Sequence, residues 1–495
     1  MIDLVAFAAE QGRDAARKLS KSEQKELGQF LTPPGIARFM AQRCVQGVDS
    51  AHIKVLEPAA GAGILAAAAV DAILERAELP ARVDVLMFEL DERLISGLRK
   101  LGAQMRAAAA AVGVELHVSV RAGDFLLSPE ATKQRALADV VIANPPYFKL
   151  GADDARSRAH AYAVHGQPNI YGLFMATCAA LVAPGGKWCF ITPRSWTNGA
   201  YFSAVRRHLL KHLALDAMHV FESREEHFTD DEILQEAMIT WATSQNADPG
   251  QVVISTSAGV SDLPAAVLRS LPTADVVSTG PERMIALRAN GDPLAAFTAT
   301  LDTYGFKVST GPVVAFRAAH CVYESKTEDS VPLLWMQHVS HMQVRWPINK
   351  KREHIAATAA CAWMLVPNSP MVVMRRFSPK EDQRRVTAAA YVGGLPGDTL
   401  GLENHLNYIY RPGGTVSAEE ALGLAAYLNS HMVDVHFRAV AGSTQVNATE
   451  LRKLPLPTLA QLTKLGGLCA AGMSLDAIDL AVEHVLQPAK ARQAA

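Results

Sequence analysis

The sequence predicts an α/β protein: a doubly wound, mostly parallel sheet over residues 1–245, followed by a mixed α+β domain over residues 246–495. Three observations carry this expectation. Short β-rich runs alternate with longer helical ones from about residue 53 to 241. The alternation breaks at the polar stretch 243–250, which contains Asp248-Pro249-Gly250. Beyond it, isolated strands sit between Gly, Pro and Asn turns until a last helical segment begins. With 495 residues, each half is long enough to bury a core of its own.

The elements follow in order. Val55-Leu56 leads into an Ala-rich helix from Ile64, Ala being the strongest helix former. Strand 83–88 is followed by a helix over 94–112, then strands at 116–120 and 140–142. A helix over 171–181, the turn Pro184-Gly185-Gly186, strand 187–191, a helix over 202–212 and an apolar stretch at 238–241 complete the first half. In the second half, 313–316 and 371–374 read as strands, and Ser417 with Glu420 three residues later fits a capping box.

Hydrophobic residues at 49%, charged residues at 20% and a net charge of -1 describe an ordinary globular chain, so any nucleic-acid surface must be local. The opening residues lack a secretory pattern and no stretch reaches membrane-spanning length, so the expectation is a cytoplasmic protein with no membrane partner. The six cysteines, at 44, 178, 189, 321, 361 and 469, show no metal-ligand spacing, so neither a metal site nor a disulfide framework is expected.

The first strand runs into Glu57-Pro58-Ala59-Ala60-Gly61-Ala62-Gly63. Gly61 and Gly63 admit positive φ and close approach of a ligand, although a Gly-x-Gly alone is equally a tight turn. Position 66 is Ala and no third glycine follows, so the dinucleotide pattern is incomplete. An acid directly before Pro58 suits a ligand with a cationic methionine end better than a pyrophosphate, which prefers bare amides and a helix dipole. That points to S-adenosyl-L-methionine. Glu89, at the end of the second strand, is placed to accept both ribose hydroxyls. Gly123-Asp124-Phe125 ends the third strand and offers a carboxylate and a ring where adenine would lie. Each acid by itself also fits a helix N-cap or a solvated turn; three at successive strand ends point to one ligand.

The most specific signal is the apolar strand ending in Asn144-Pro145-Pro146-Tyr147. Two prolines end the strand and remove backbone donors while leaving acceptors. The Asn144 amide oxygen and the Pro145 carbonyl can each accept a hydrogen from a planar amino group, exposing the nitrogen lone pair to a sulfonium methyl. Tyr147, and with less support Phe148, would stack on the base.

The order Gly28-Gln29-Phe30-Leu31-Thr32-Pro33, then Glu57 to Gly63, Glu89, Gly123-Asp124-Phe125 and Asn144 to Tyr147 resembles the gamma-class N6-adenine DNA methyltransferases of type II restriction-modification systems. The resemblance is strong to residue 200 and looser beyond. It implies a Rossmann-like methyltransferase sheet, a C-terminal target-recognition domain and Thr32 as a contact to the cofactor carboxylate. Without the family, Thr32 reads as a helix N-cap with Pro33 in the first turn. The resemblance further implies a target adenine swung out of double-stranded DNA beside Asn144, a monomer, and a separate cognate restriction endonuclease as a possible partner. An aromatic in the segment Phe221 to Phe228 is a candidate for the far face of that base, although a core aromatic is the favoured reading of either Phe, and Arg224 reads equally as a phosphate contact or a solvated charge.

Residues 345–411 carry ten basic side chains against five acidic ones. Arg345, Lys350, Arg375 and Arg376 are the candidate DNA contacts, against the plainer reading of a solvated face. Trp335, Gln337, His338, Arg345 and Trp346 form a mixed polar and aromatic group of the kind that reads base edges or supports a loop that does. The amide-rich segments 403–407 and 442–447 read mainly as turns. An Asn-Pro-Pro-Tyr enzyme can also methylate a protein glutamine amide or an RNA amine. The segment 29–33 and the length of chain after the catalytic half favour DNA. A fused nuclease gains no support, since no Pro-Asp followed by Glu-x-Lys lies outside the two domains.

Overall fold

The structure is a computed structural model that describes residues 2–17, 32–133, 135–221, 237–244, 250–257, 263, 266–287, 293–378, 382–440 and 445–486. It divides into two compact units, Met1–Ala289 and Asn290–Ala495.

The strands of the first unit are β1 (His52–Glu57), β2 (Arg82–Glu89), β3 (Glu115–Ala122), β4 (Ala138–Ala143), β5 (Val182–Pro193), β6 (Leu213–Phe221), β7 (Ala237–Ser244), β8 (Gln251–Ser257) and β9 (Val267–Pro272). They form one sheet in the order β3-β2-β1-β4-β5-β7-β6-β8-β9. The first five are mutually parallel; β7 runs antiparallel to both β5 and β6, and β9 antiparallel to β8. Successive residues of the central strands serve opposite cores, as the two-residue period of a strand requires. Val140 and Ile142 lie in one core, and Val141 and Ala143 in the other. Helices α1 (Leu4–Ala16), α2 (Pro34–Cys44), α3 (Ile64–Leu74) and α4 (Glu92–Ala111) fill the first core, while α5 (Ile170–Ala179) and α6 (Ser203–His212) fill the second. The doubly wound expectation holds.

The expected boundary at 245/246 falls inside this unit. Strands β8 and β9 extend the same sheet, β8 pairing parallel with β6, so the polar stretch leads into another strand rather than into a new domain. Gly250 at φ 69° precedes β8.

The second unit holds a four-stranded antiparallel sheet, Lys307–Thr310, Leu406–Tyr410, Met371–Arg375 and Ala388–Tyr391 in spatial order. A five-stranded mixed sheet runs Val322–Tyr323, His354–Ala356, Ser330–Leu334, Thr399–Leu402 and Leu365–Pro367. The expected strand at 313–316 is instead a single bridge from Val313 to Glu403 followed by a turn, in which the Val314 carbonyl accepts from both Arg317 and Ala318. The capping box forms as expected: Ser417 Oγ accepts from Glu420 N at 3.1 Å and Glu420 Oε2 accepts from Ser417 N at 2.8 Å, starting helix Ala418–Asn429. That helix crosses Leu459–Leu468 at a pair of glycines. A Cβ on Gly423 would land on the Leu462 carbonyl oxygen, and one on Gly466 on that of Glu419, so only glycine permits this backbone-to-backbone contact.

One cysteine expectation fails. Cys321 and Cys361 form a disulfide across a sequence separation of 40. Each lies at a short 3-10 turn, and the pairing of Val322–Tyr323 with His354–Ala356 brings the two turns together, which spacing in the sequence does not reveal. Among the described residues no helix is long and apolar enough to cross a membrane.

Candidate active site

Because β3, β2, β1 and β4 are adjacent and parallel, their carboxyl ends line one edge, and each delivers a polar group there. Glu57 ends β1 and is 1% exposed, with Oε2 accepting from Ala66 N at 2.9 Å across the turn. Burial pushes its carboxyl well above the usual range. Glu89 ends β2; its two oxygens accept from Gly61 N at 2.6 Å and Asp91 N at 2.7 Å, and burial raises it too. These bonds lock the turn after Pro58 onto the neighbouring strand.

The two glycines of that turn do different work. A Cβ on Gly61, at φ 54°, meets nothing within 4 Å, so the backbone there is open to a ligand. A Cβ on Gly63, at φ 81°, would collide with Leu98 and Leu101, so this glycine lets α3 pack on α4. An open Gly61 flanked by buried carboxylates suits an adenosine ligand whose other end is cationic, which fits S-adenosylmethionine.

Asp124 caps the turn Phe125–Leu127, Oδ1 accepting from Leu126 N at 2.9 Å. The Phe125 ring lies in the core, stacked on Phe174 at 5.7 Å and edge-on to Phe88 at 5.1 Å. Of the two, Phe125 is buried and Asp124 only partly so, which leaves Asp124 rather than the ring as the side chain of this turn outside the core.

Two residues that sequence reasoning missed hold the same turn. Buried His160 places Nε2 2.7 Å from the Leu126 carbonyl. A carbonyl only accepts, so Nε2 carries the proton and Nδ1 accepts, from Thr177 at 3.1 Å or Tyr162 at 3.2 Å. Burial lowers its pKa and keeps it neutral. Arg156 is gripped by Asp154 through bonds of 2.8 and 2.7 Å, an arrangement that depresses Asp154 to about 2. Its Nη1 stands 3.7 Å from Asp124 and its guanidinium lies over the Phe148 ring at 5.7 Å. One side chain thus lies beside both Asp124 and the aromatic after the Asn-Pro-Pro-Tyr run. No signal in residue type or spacing marks either residue, because both roles depend on how the segment after Tyr147 folds back.

Asn144 follows β4. Its Nδ2 donates to Thr32 Oγ1 at 3.1 Å, and its Oδ1 accepts from the Tyr147 hydroxyl at 2.5 Å. The same hydroxyl lies 3.0 Å from the Ile191 carbonyl on β5, and burial raises its pKa, so it remains a donor. The Tyr147 ring sits edge-on to Tyr171 at 5.9 Å. Pro145 is buried and Pro146 half-buried. The loop beyond is stitched down by Ile170 N to Phe148 O at 3.0 Å and Leu150 N to Pro168 O at 2.9 Å. Thr32 does not cap a helix: Pro33 is the N-cap of α2 and Pro34 its first residue, which frees the Thr32 hydroxyl to reach Asn144. Residues 28–31, Arg224 and Phe228 lie outside the described residues, and Phe221 is a core residue packed on His219 at 4.6 Å.

In the second unit the basic residues divide into two groups. Arg411 pairs with Glu420 at 2.9 Å, Arg384 with Asp479 at 2.5 Å, and buried Arg385 donates to Ser378 O. Arg375 donates to Val339 O at 2.7 Å and Arg376 to Asn404 O at 3.3 Å, which fixes part of each guanidinium inside the unit. Arg345, Lys351 and Arg352 are exposed and Lys350 half-exposed. Asn407 is internal, bonded to Thr310 and to Val446 O, and Asn447 starts the helix Ala448–Arg452, so these amides serve turns and caps.

Residues 122–228 match the family described as Eco57I restriction-modification methylase. The chain is 33% identical over 466 residues to the type II methyltransferase M.BsuBI of Bacillus subtilis, covering 90% of each protein. It is 32% identical over 475 residues to the type II methyltransferase M.PstI of Providencia stuartii, covering 91% of each. Among solved structures, the DrdV–DNA complex is similar at a TM-score of 0.50 and 14% identity, over 94% of this chain and 59% of that one, which speaks to the fold alone. With S-adenosylmethionine as its cofactor, the chain belongs to the type II methyltransferases of restriction-modification systems.

Proposed function

We propose that the chain methylates the N6 amine of an adenine swung out of a short double-stranded DNA target. The Asn144 carboxamide carries this reading: it is held between Thr32 and Tyr147 at the end of β4, beside the strand ends that suit the cofactor. The cofactor supplies an electrophilic methyl on sulfur. Glu57 and the turn Pro58 to Gly63 would hold its methionine end, Glu89 its ribose and Asp124 its adenine. Asn144 Oδ1 and the Pro145 carbonyl accept the two hydrogens of the target amine, which turns the nitrogen lone pair toward the methyl. Thr32 and Tyr147 keep the carboxamide from rotating. The second unit supplies target recognition, with Arg345, Lys350, Arg375 and Arg376 on DNA phosphates. The enzyme acts as a cytoplasmic monomer beside a separate cognate nuclease.

The test is single-molecule sequencing of DNA from a methylation-free host that expresses the chain. N6-methyladenine confined to one short motif is expected. Unmodified DNA from a folded, cofactor-binding protein would overturn the reading in favour of an RNA or protein amide acceptor. Methylcytosine would overturn the choice of base.

A further inference from the structure

The loop 346–352 of the second unit brings Lys350, Lys351 and Arg352 together in succession. Such a run is usually a solvated, mobile face. Here the loop is built from below. Glu353 is 5% exposed, and its Oε1 lies 2.9 Å from Ile348 N and 2.7 Å from His338 Nε2. Burial pushes the Glu353 carboxyl up, but the bonds from the Ile348 and Lys350 amides and from His338 outweigh it and hold the group below the usual range. His338 Nδ1 accepts from Trp335 N at 2.9 Å. A backbone N–H can only donate, so Nε2 carries the proton toward Glu353, and neutral His338 makes both bonds.

The loop backbone is also tied at its end. The Trp335 indole donates to Arg352 O at 2.7 Å and the Trp346 indole to Glu353 O at 3.2 Å. Lys350 Nζ lies over the Trp335 ring at 4.9 Å. Asn349 at φ 58° and Arg352 at φ 66° adopt left-handed backbone that non-glycine residues keep only where their surroundings impose it. A buried anion, a buried histidine and two indoles thus fix a short loop whose outer side is three cations, with exposed Arg345 at its root. A fixed backbone that presents its cations at set positions suits a regular polyanion better than an adaptable acidic peptide.

We propose that loop 346–352 is a preformed grip on the DNA sugar-phosphate backbone and that His338 and Glu353 are its positioning residues. This rests on the reading of the chain as a DNA methyltransferase. The test uses the full-length protein, fluorescent 20-base-pair duplexes of unrelated sequence, and salt from 50 to 200 mM. Neutralising two phosphate contacts by Lys351→Ala with Arg352→Ala should flatten the slope of log affinity against log salt by roughly 1.8. The double variant then loses roughly 12-fold less affinity across that salt range than the unsubstituted protein. Glu353→Gln keeps the shape of the side chain and should give an intermediate slope with unchanged cofactor affinity. An unchanged slope in the double variant refutes the grip. A Glu353→Gln protein that melts earlier but keeps the full slope refutes the positioning role. A wild-type chain that neither binds nor methylates duplex DNA refutes the underlying reading instead.

Discussion

Replacing Tyr147 with Phe keeps the ring and removes only the hydroxyl, so it separates base stacking from orientation of Asn144. Among the described residues that hydroxyl has one proton and two acceptors in reach, Asn144 Oδ1 at 2.5 Å and Ile191 O at 3.0 Å. A hydrogen bond of this kind contributes a net of about 0.5–1.5 kcal/mol. If all of it serves to hold the carboxamide in the transition state, methyl transfer slows by roughly 2- to 13-fold. The assay is single-turnover transfer of labelled methyl at saturating DNA and cofactor, with cofactor affinity measured separately and expected to stay within about twofold. Tyr147→Ala, which also loses the ring, should be slower still. A Tyr147→Phe enzyme at the wild-type rate would refute the orienting role and leave the ring as the whole contribution.

Three further outcomes follow from groups described above. His160→Ala should leave the Leu126 carbonyl unpaired, at a cost of about 1–3 kcal/mol, and weaken S-adenosylmethionine by roughly 5- to 150-fold with little change in kcat; His160→Gln restores a donor and should recover most of it. A parallel fall in kcat would contradict a role confined to the cofactor turn. Burial, helped by His212 and Lys211, lowers His208 to about 4, below its unfolded value of about 6.5, so between these limits the unfolded chain binds more protons. The stability from His208 is complete above about pH 6.5 and lost as pH falls toward 4; melting curves of His208→Gln should show a shallower acid decline than wild type. Closing a loop of 40 residues, the Cys321–Cys361 bond should contribute about 4 kcal/mol, read as a lower urea midpoint after Cys321→Ser with Cys361→Ser; equal midpoints would argue against a bond in solution.

What could be read from the chain in advance was whatever is local or periodic. The run at 140–142 is apolar on both faces because β4 is central, and the two prolines after Asn144 stop it where the site begins. Glu57, Glu89 and Asp124 were legible as acids at strand ends, and the parallel order of the strands turns three separate signals into one edge. Asp124 also caps a turn, so the plainer reading of that acid is met in the structure, and its place at the strand end is what keeps the functional reading as a proposal. Features closed by long-range folding were not legible. Strands β8 and β9 follow a polar, proline-containing stretch that reads as a domain boundary or a large insertion, and only the pairing of β8 with β6, and of β9 with β8, assigns them to the first unit. The local charge excess counted Arg384, Arg385 and Arg411 as available, whereas Asp479, Ser378 and Glu420 hold them internally.

The crossing at Gly423 and Gly466 bears on how the second unit can be exchanged between related enzymes. Helix Leu459–Leu468 lies directly on the backbone of Ala418–Asn429, and both, with Leu475–Leu486, share one core with the four-stranded sheet. A graft that stops after the last strand at Tyr410, where the β-rich part ends, would strip that sheet of its helical cover. A graft that pairs one parent's first helix with another's second would need glycine at both crossing positions. The transferable block therefore begins at the division between residues 289 and 290 and includes the whole second unit, with both glycines drawn from one parent.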